Sequence, residues 1–283
     1  MKRRVLVTGA NGYIGRHVVE SLLQRGDVVY ITSSKPDDFG GEVRRLDQSC
    51  FDLDIGRITE TCDSCIHLAW RDGFRHNSDA HMADLSAHYL FLSSLCAGGL
   101  KSLTVMGTMH EVGYWVGPID EHTPTDPHSL YGIAKDSLRK ALTANLKDSR
   151  TDFRWLRAFY ITGDDRHSQS VFGKILRSYE DGKRTFPFTS GRNQCDFIDV
   201  AELARQIVAA DAQSKILGVI NCCSGQPEAL AARVLRFLSE NGIAMDLQYG
   251  AFPDREYDSP SIWGDASKIR QILAATASEI TET

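Results

Sequence analysis

Apolar residues along this chain switch between short continuous runs and helical spacing. Residues 5–7 form the first continuous run. Farther along, Val18, Val19, Leu22 and Leu23 recur at steps of three and four residues. A short apolar run is typical of a buried strand, and steps of three and four residues are typical of a helix with one apolar face. The chain is therefore predicted to open on a strand, a tight turn and a helix.

The same two patterns repeat downstream. They predict further strands at 28–31, 43–47, 65–69 and 103–106, and helices at 79–97, around residue 131, at 171–179 and at 230–238. The stretch after residue 272 is polar, and we expect it to be loosely held. Strands that alternate with helices indicate a parallel sheet wound in right-handed units, with the binding site at the carboxyl ends of the strands.

Three glycines lie between the first strand and the first helix, at Gly9, Gly12 and Gly15. Gly9 permits a tight turn, Gly12 lets a pyrophosphate approach the backbone, and Gly15 lets the helix pack closely on the strand. The spacing is G-x-x-G-x-x-G rather than G-x-G-x-x-G, so the triplet counts only together with its strand and helix. This combination predicts a dinucleotide-binding turn in a Rossmann-type α/β fold.

The end of the second strand bears on the choice of cofactor. An acidic side chain there would bind the adenosine ribose and repel a 2′-phosphate. This sequence instead has Ser33 and Lys35, with Arg16 just past the glycine turn. Small hydroxyl groups and cations suit a phosphate, so the sequence favours NADP, with NAD still possible.

The candidate catalytic groups follow the fifth strand. Thr108 lies at its end, and Tyr131 and Lys135 lie four residues apart in a predicted helix, on one face. An ammonium group nearby is expected to lower the pKa of the tyrosine from about 10 toward neutrality. The phenol could then exchange a proton with a carbonyl oxygen that Thr108 also hydrogen-bonds.

Charge and composition exclude several classes of function. The 283 residues include 32 Lys and Arg against 37 Asp and Glu, a net charge of −5, so we expect no nucleic-acid or membrane partner. The chain has no apolar run near the about 20 residues of a membrane span and no signal-peptide pattern, so we expect a cytoplasmic protein. The seven cysteines are expected to be reduced and buried, and no metal site is predicted. His76, His81 and His88 are assigned to a solvated helix.

Taken together, the motifs resemble an extended short-chain dehydrogenase/reductase of the NAD-dependent epimerase/dehydratase family. The resemblance covers nearly the whole chain. It rests on segments 8–15, 67–69, 156–163, 196–201, 221–225 and 265–268 and on Thr108, Tyr131 and Lys135. It implies a nicotinamide cofactor, a nucleotide diphosphate-sugar substrate, and a homodimer formed through the helices that hold residues 85–95 and 131–142.

The resemblance also implies roles for individual residues. Tyr131 is the acid or base, Lys135 binds the nicotinamide ribose and tunes Tyr131, and Thr108 orients the substrate oxygen. The expected cofactor-binding residues are Gly9, Asn11, Gly12, Tyr13, Ile14, Gly15, Arg16, Ser33, Lys35, Asp47, Leu68, Ala69, Tyr131, Lys135 and Phe159.

Departures from the family pattern narrow the expected reaction. The 4,6-dehydratases follow this threonine with Asp-Glu, whereas here Met109 and His110 follow it. Methionine cannot transfer a proton, so the sequence favours an NADPH-dependent reductase of a nucleotide-linked 4-keto-6-deoxy sugar. Two alternatives stay open: an NAD-dependent nucleotide-sugar 4-epimerase, and a non-enzymatic dinucleotide-sensing protein.

The substrate residues are expected in and near a smaller C-terminal lobe. His110 faces the same crevice as Thr108, and Arg192 and Arg255 are the cations available for a diphosphate, since Cys195 stands where relatives often have arginine. The polar loop 163–169 is expected to be a mobile cap. We expect a dinucleotide-binding domain over 1–163, with a strand and helix returning around 192–222, and a substrate lobe over most of 164–283.

Overall fold

The computed structural model describes residues 2–32, 39, 43–254 and 259–281. In chain order the strands are β1 Arg4–Thr8, β2 Val28–Thr32, β3 Val43–Leu46, β4 Ser64–His67, β5 Ser102–Thr108, β6 Gly117–Ile119, β7 Asp152–Ala158, β8 Tyr160–Thr162, β9 Thr185–Pro187, β10 Gln194–Asp199, β11 Gly218–Cys222, β12 Pro227–Ala229, β13 Asp246–Gln248 and β14 Ser261–Gly264. The helices are α1 Tyr13–Gln24, α2 Ile55–Thr61, α3 Ala80–Ala83, α4 Leu85–Ala97, α5 Leu130–Asn145, α6 Val171–Glu180, α7 Val200–Ala212, α8 Leu230–Glu240 and α9 Ser267–Thr281.

Seven of these strands form one parallel sheet in the order β11-β7-β5-β4-β1-β2-β3. The chain winds outward from β1 in both directions, so β1 and β4 flank the point where the strand order reverses. Ligands of open α/β sheets bind at the carboxyl ends of the strands at such a point. The predicted doubly wound fold is confirmed.

Helices cover both faces of this sheet. Helices α1, α7 and α9 pack on one apolar cluster, and α2, α4 and α5 pack on the other. The central strands are buried on both sides, and Val5, Leu6 and Val7 have no exposed surface. Burial on both faces explains why these strands appear in the sequence as continuous apolar runs. None of the helices in the described part of the chain is long and apolar enough to cross a bilayer.

A second group of elements follows β8. Helices α6 and α8 enclose an apolar cluster around Phe172, Val234 and Phe237. A mixed sheet has the order β12-β10-β14-β6, with β8 also paired to β10, and its first member in the chain, β6, comes before β7. Ile198 of this sheet belongs to the apolar cluster that covers one face of the large sheet. The central residue of the mixed sheet, Asp196, is fully buried and accepts hydrogen bonds from three backbone N–H groups.

Several local expectations need correction. The helix predicted at 79–97 is two helices, because the backbone at Asp84 ends α3 and begins α4. The tail after residue 272 continues α9 rather than forming a loose end. His81 and His88 are buried, with exposures of 1% and 3%, so neither belongs to a solvated helix face. All seven cysteines are buried and none forms a disulfide, as predicted.

Candidate active site

The glycine turn joins β1 to α1 at the switch point of the sheet. Gly9 has a φ of +71°, a left-handed value that favours glycine. A Cβ at Gly9 would lie 2.6 Å from Ala69 N, and one at Gly15 would overlap the carbonyl oxygen of Gly9. The turn therefore packs directly against the loop that follows β4, and α1 packs directly on the turn.

The turn has the donors and acceptors that a dinucleotide needs. Within the described residues, α1 begins at Gly12 without a side-chain cap, so its first N–H groups remain available for an anion. The amide oxygen of Asn11 is buried there and has no hydrogen-bond partner among the described groups. The N–H groups fit a pyrophosphate, and the Asn11 oxygen fits a ribose hydroxyl group.

A buried chain of hydrogen bonds supports the turn from below. Thr8 Oγ1 lies 2.8 Å from His67 Nδ1, and His67 Nε2 lies 2.9 Å from His88 Nδ1. Thr8 Oγ1 also accepts from Ala69 N at 3.3 Å, which holds Leu68 and Ala69 beside the glycines. Burial lowers the pKa of His67 well below its usual value and that of His88 to about 4, so both imidazoles are neutral at pH 7.

The three predicted catalytic residues meet at the carboxyl end of β5. Thr108 is the last residue of β5, Tyr131 lies in the first turn of α5, and Lys135 follows one turn later. The Thr108 hydroxyl group lies close enough to the phenol of Tyr131 to lower its pKa. Lys135 is 2% exposed, and its Nζ donates to Met106 O at 2.7 Å. A carbonyl oxygen beside Tyr131 would therefore face both hydroxyl groups.

The protonation of this pair differs from the sequence-based expectation, which is wrong for the protein without ligands. Burial raises the pKa of Tyr131 to about 12, although the hydrogen bond from Thr108 opposes this shift. Burial also lowers the pKa of Lys135 to about 7. Burial is the largest cause of both shifts, because it disfavours the charged form of each group.

The loop after β4 contributes contacts that the sequence did not identify. Trp70 lies beneath Lys135, with Nζ 3.8 Å from the ring centroid, and its indole N–H donates to His81 Nδ1 at 3.0 Å. His76 stacks on the Tyr131 ring at 5.4 Å, and its carbonyl accepts from Tyr131 N at 2.8 Å. The loop therefore holds the start of α5 in place. The only signal in the sequence was an aromatic residue directly after Ala69.

Glu111 is a second group that the sequence analysis missed. Its carboxylate is fully buried and accepts from Thr108 N and Trp155 Nε1, both at 2.8 Å. Arg157 Nε donates to the other oxygen at 3.2 Å. A buried carboxylate is therefore bonded directly to the backbone of Thr108.

Arg16 is paired with a carboxylate of the protein itself. Its Nη1 lies 3.7 Å from Asp164 Oδ2, and His17 and His167 contact the same carboxylate at 3.1 and 2.6 Å. Tyr13 donates its hydroxyl hydrogen to Gly163 O at 2.5 Å. These bonds tie the start of the 163–169 loop to α1, so the expectation of a mobile loop from its polar composition is not supported there.

The remaining predicted cofactor residues have mixed positions. Ile14 is partly buried and packs against the core beside the turn. The ring of Phe159 is packed in the core, where a Cβ placed on Gly264 would lie 2.7 Å from it. Asp47 follows β3, is 82% exposed and pairs with Arg45 at 2.8 Å. Ser33 and Lys35 lie outside the described residues.

Among the predicted substrate residues, His110 lies beside Tyr131. Its ring centroid is 6.2 Å from that of Tyr131 and 4.5 Å from that of His76. Its backbone N–H donates to Thr108 Oγ1 at 3.2 Å. Arg192 is exposed in the loop before β10, and Arg255 lies outside the described residues.

Comparison with known proteins agrees with this geometry. The model of the NAD-dependent epimerase/dehydratase family matches residues 5–223. The chain is 40% identical over 267 residues, 92% of this chain and 98% of the other, to dTDP-6-deoxy-L-talose 4-dehydrogenase (NAD(+)) of Aggregatibacter actinomycetemcomitans.

Solved structures share the fold. The UDP-glucuronic acid 4-epimerase of Bacillus cereus, solved with UDP-glucuronic acid and NAD, superposes with a TM-score of 0.81 at 20% identity, covering 96% of this chain and 93% of the other. The UDP-glucose 4-epimerase of Thermotoga maritima, solved with UDP-glucose, gives 0.80 at 22% identity, covering 95% and 91%. These relatives are enzymes by name, which leaves the sensor hypothesis without support. The chain belongs to the NAD-dependent epimerase/dehydratase family and is an enzyme of the extended short-chain dehydrogenase/reductase type.

Proposed function

We propose that this nucleotide-sugar-modifying enzyme interconverts a nucleotide-linked 6-deoxyhexose and its 4-keto form. In reduction, C4 receives a hydride and O4 receives the proton of the Tyr131 hydroxyl. In oxidation the hydride leaves C4, and the O4 proton returns to the phenolate of Tyr131. When bound, a nicotinamide dinucleotide supplies or accepts the hydride. The name of the relative that is 40% identical, a 4-dehydrogenase of a dTDP-linked 6-deoxy sugar, supports this reaction.

The observation that carries the proposal is the proximity of the Thr108 hydroxyl group to the Tyr131 phenol, whose pKa it lowers. It puts two hydroxyl groups side by side at the carboxyl end of β5, where both can bond one substrate oxygen. Thr108 orients that oxygen, Tyr131 exchanges the proton, and Lys135 adds positive charge one helical turn away. Oxidation or reduction at one carbon requires no further acid or base.

Other chemistry of the family is less well supported by the neighbouring side chains. Met109 is 6% exposed and packs in the core, and a thioether cannot move a proton. The nearest acid in sequence, Glu111, is bonded to Trp155 and Arg157. An enzyme that also removed water would need a free carboxyl group at this point.

We propose NAD as the cofactor, which reverses the preference for NADP in the sequence analysis. The pairing of Arg16 with Asp164 weakens one of the three reasons for a 2′-phosphate. The relative at 40% identity is an NAD(+) enzyme by its name. The other two reasons, Ser33 and Lys35, lie outside the described residues.

We infer that His110 contacts the sugar, because its ring lies beside Tyr131. Arg192 and Arg255 remain our proposals for the diphosphate, since a guanidinium group can bond two phosphate oxygens at once.

The test is a panel of reactions followed by the absorbance of the reduced cofactor. The protein is incubated with NAD⁺ and dTDP-6-deoxy-L-talose, and separately with NADH or NADPH and dTDP-, GDP- and CDP-linked 4-keto-6-deoxy sugars. We expect turnover with NAD(H), and loss of about 10³-fold in kcat for Tyr131→Phe. Tyr114→Phe, at a tyrosine that is 50% exposed, is the matched control. Equal turnover by Tyr131→Phe and the wild type would refute the proposal.

A 4-epimerase is the second candidate, since two structures with this fold belong to 4-epimerases. An epimerase would return a C4-inverted sugar from a nucleotide hexose without net change in cofactor. Measuring the amounts of sugar product and of converted cofactor separates the two reactions, because the proposed dehydrogenase converts one cofactor molecule for each sugar molecule.

We also propose a homodimer formed through α4 and α5, which pack against each other. Leu90 on α4 is 61% exposed and Ile133 on α5 is 37% exposed, although both are large apolar residues. Light scattering should give twice the chain mass of 31.4 kDa. Leu90→Arg should yield the monomer.

A further inference from the structure

Glu111 lies directly under the catalytic threonine. Its Oε1 accepts from Thr108 N and Trp155 Nε1, and its Oε2 lies 3.2 Å from Arg157 Nε and 3.5 Å from Arg139 Nε. A Cβ at Gly107 would lie 2.6 Å from Glu111 Oε1. The glycine before Thr108 therefore leaves the room that this carboxylate occupies.

The bonds around Thr108 give its hydroxyl group one direction. The backbone N–H of His110 donates to Thr108 Oγ1 at 3.2 Å, so that oxygen has a donor already. Its own hydrogen can then point to the nearby Tyr131, whose pKa Thr108 lowers. The backbone N–H of Thr108 donates to the carboxylate of Glu111. The backbone bond and the side-chain bond together fix the position of the hydroxyl group.

We propose that Glu111 is a positioning residue that fixes Thr108 and controls, through its charge, the protonation of Tyr131 and Lys135. The proposal deepens the proposed function and rests on it for the role of Tyr131 in catalysis. Glu111 itself touches neither substrate nor cofactor in this account.

The charged groups that face Glu111 come from two elements. Arg157 is on β7, and Arg139, Lys135 and the titratable Tyr131 are on α5, with Asp136 bonded to the far side of Arg139. Burial raises the pKa of Glu111, while Arg157 and Arg139 and the donors from Thr108 and Trp155 oppose that shift. The ionised carboxylate in turn raises the pKa of both Tyr131 and Lys135.

Three variants separate charge from shape. Glu111→Gln removes the charge and keeps the length, and Glu111→Asp keeps the charge and shortens the reach to Thr108 N. Arg139→Gln removes a positive charge from the same cluster at a side chain that is 15% exposed, so it leaves no fully buried group unpaired. Near-ultraviolet circular dichroism checks that each variant is folded.

The first readout is the pH profile of kcat for oxidation of the sugar. Tyr131 and Lys135 titrate as a coupled pair, so the profile reports the pair rather than either residue. We expect Glu111→Gln to move the rising limb to lower pH by about one pH unit, and Arg139→Gln to move it to higher pH by a smaller amount. Glu111→Asp should leave the limb in place and lower kcat about tenfold.

The second readout needs no turnover. The ultraviolet absorbance of the phenolate is titrated in the NAD⁺ complex of each variant, and the same titration of its Tyr131→Phe derivative is subtracted. The shifts should have the same directions as in the kinetic profile. If the phenolate titrates at the same pH in the wild type, Glu111→Gln and Arg139→Gln, Glu111 is structural only and the proposal is overturned, whatever the substrate of the enzyme proves to be.

Discussion

The ammonium group of Lys135 lies on the face of the Trp70 indole ring, 3.8 Å from its centroid. Trp70 in turn stacks on His88 at 4.4 Å, so a cation, an indole and a neutral imidazole form one column. The column connects the catalytic helix α5 to the loop that packs on the glycine turn. The ammonium group of Lys135 therefore contacts a ring and the carbonyl oxygen of Met106, and Glu111 acts on its charge without direct contact.

Replacing Trp70 should weaken catalysis through Lys135. Trp70→Leu removes the ring, and we expect kcat/KM to fall about tenfold, because a desolvated cation–π contact contributes on the order of 1–2 kcal/mol. Trp70→Phe keeps an aromatic face, so it should retain most of the activity while losing the N–H bond to His81. Equal kinetics of the Leu and Phe variants would show that the ring face does not matter.

The stability of the protein should depend on pH through His88. Its pKa is 6.5 when exposed and about 4 in the fold. Between pH 6.5 and 4, His88 binds a proton in the unfolded chain but not in the folded chain. The free energy of unfolding therefore falls as the pH falls from 6.5 to 4. We expect His88→Gln to reduce this loss by about 2–3 kcal/mol, measured by urea unfolding at several pH values.

The matched control for that series is His122→Gln, at a side chain that is 84% exposed. It should leave the slope of stability against pH unchanged. If the wild type and His88→Gln have parallel slopes between pH 4 and 6.5, the assignment to His88 fails.

Gly15→Ala should damage the cofactor site. Its Cβ would overlap the carbonyl oxygen of Gly9, so α1 would have to move away from the turn. We expect a loss of about 1–3 kcal/mol in the free energy of unfolding and an increase of at least about tenfold in the Kd for NAD⁺. Gly56→Ala in α2 is the control, because its new Cβ would meet only Asp54 Oδ1 at 3.5 Å. Unaltered NAD⁺ affinity in Gly15→Ala would contradict the close packing described.

Asp164→Asn should make the enzyme accept NADP⁺ more readily. The variant keeps the shape of the side chain and removes the charge that binds Arg16 at 3.7 Å. Arg16 can then attract a 2′-phosphate, and we expect the ratio of the Kd values for NADP⁺ and NAD⁺ to fall about fivefold. Asp165→Asn removes a neighbouring charge without releasing Arg16, so it serves as the control. The same ratio in both variants would mean that the pairing has no part in cofactor choice.

Short-range patterns in the sequence were enough to predict strands β1 to β5 of the large sheet and the meeting of Thr108, Tyr131 and Lys135. Buried parallel strands are continuous apolar runs, and residues four apart in a helix share a face. Other features depend on partners distant in sequence. Glu111 bonds Trp155 and Arg157, which are 44 and 46 residues away, so nothing near Glu111 marks it as buried. The raised pKa of Tyr131 likewise comes from burial, which local spacing does not report.

The late position of α7 and β11 in the chain affects how the protein is made. The apolar face of α1 packs on α7, and β11 pairs with β7 at the edge of the sheet. A ribosome must therefore translate through residue 222 before α7 can cover the first helix and β11 can pair with β7. Nascent chains shorter than this present an open strand edge and an apolar helix face to their neighbours, which favours misassembly. Chains arrested before residue 222 should therefore be bound by chaperones and cut readily by proteases.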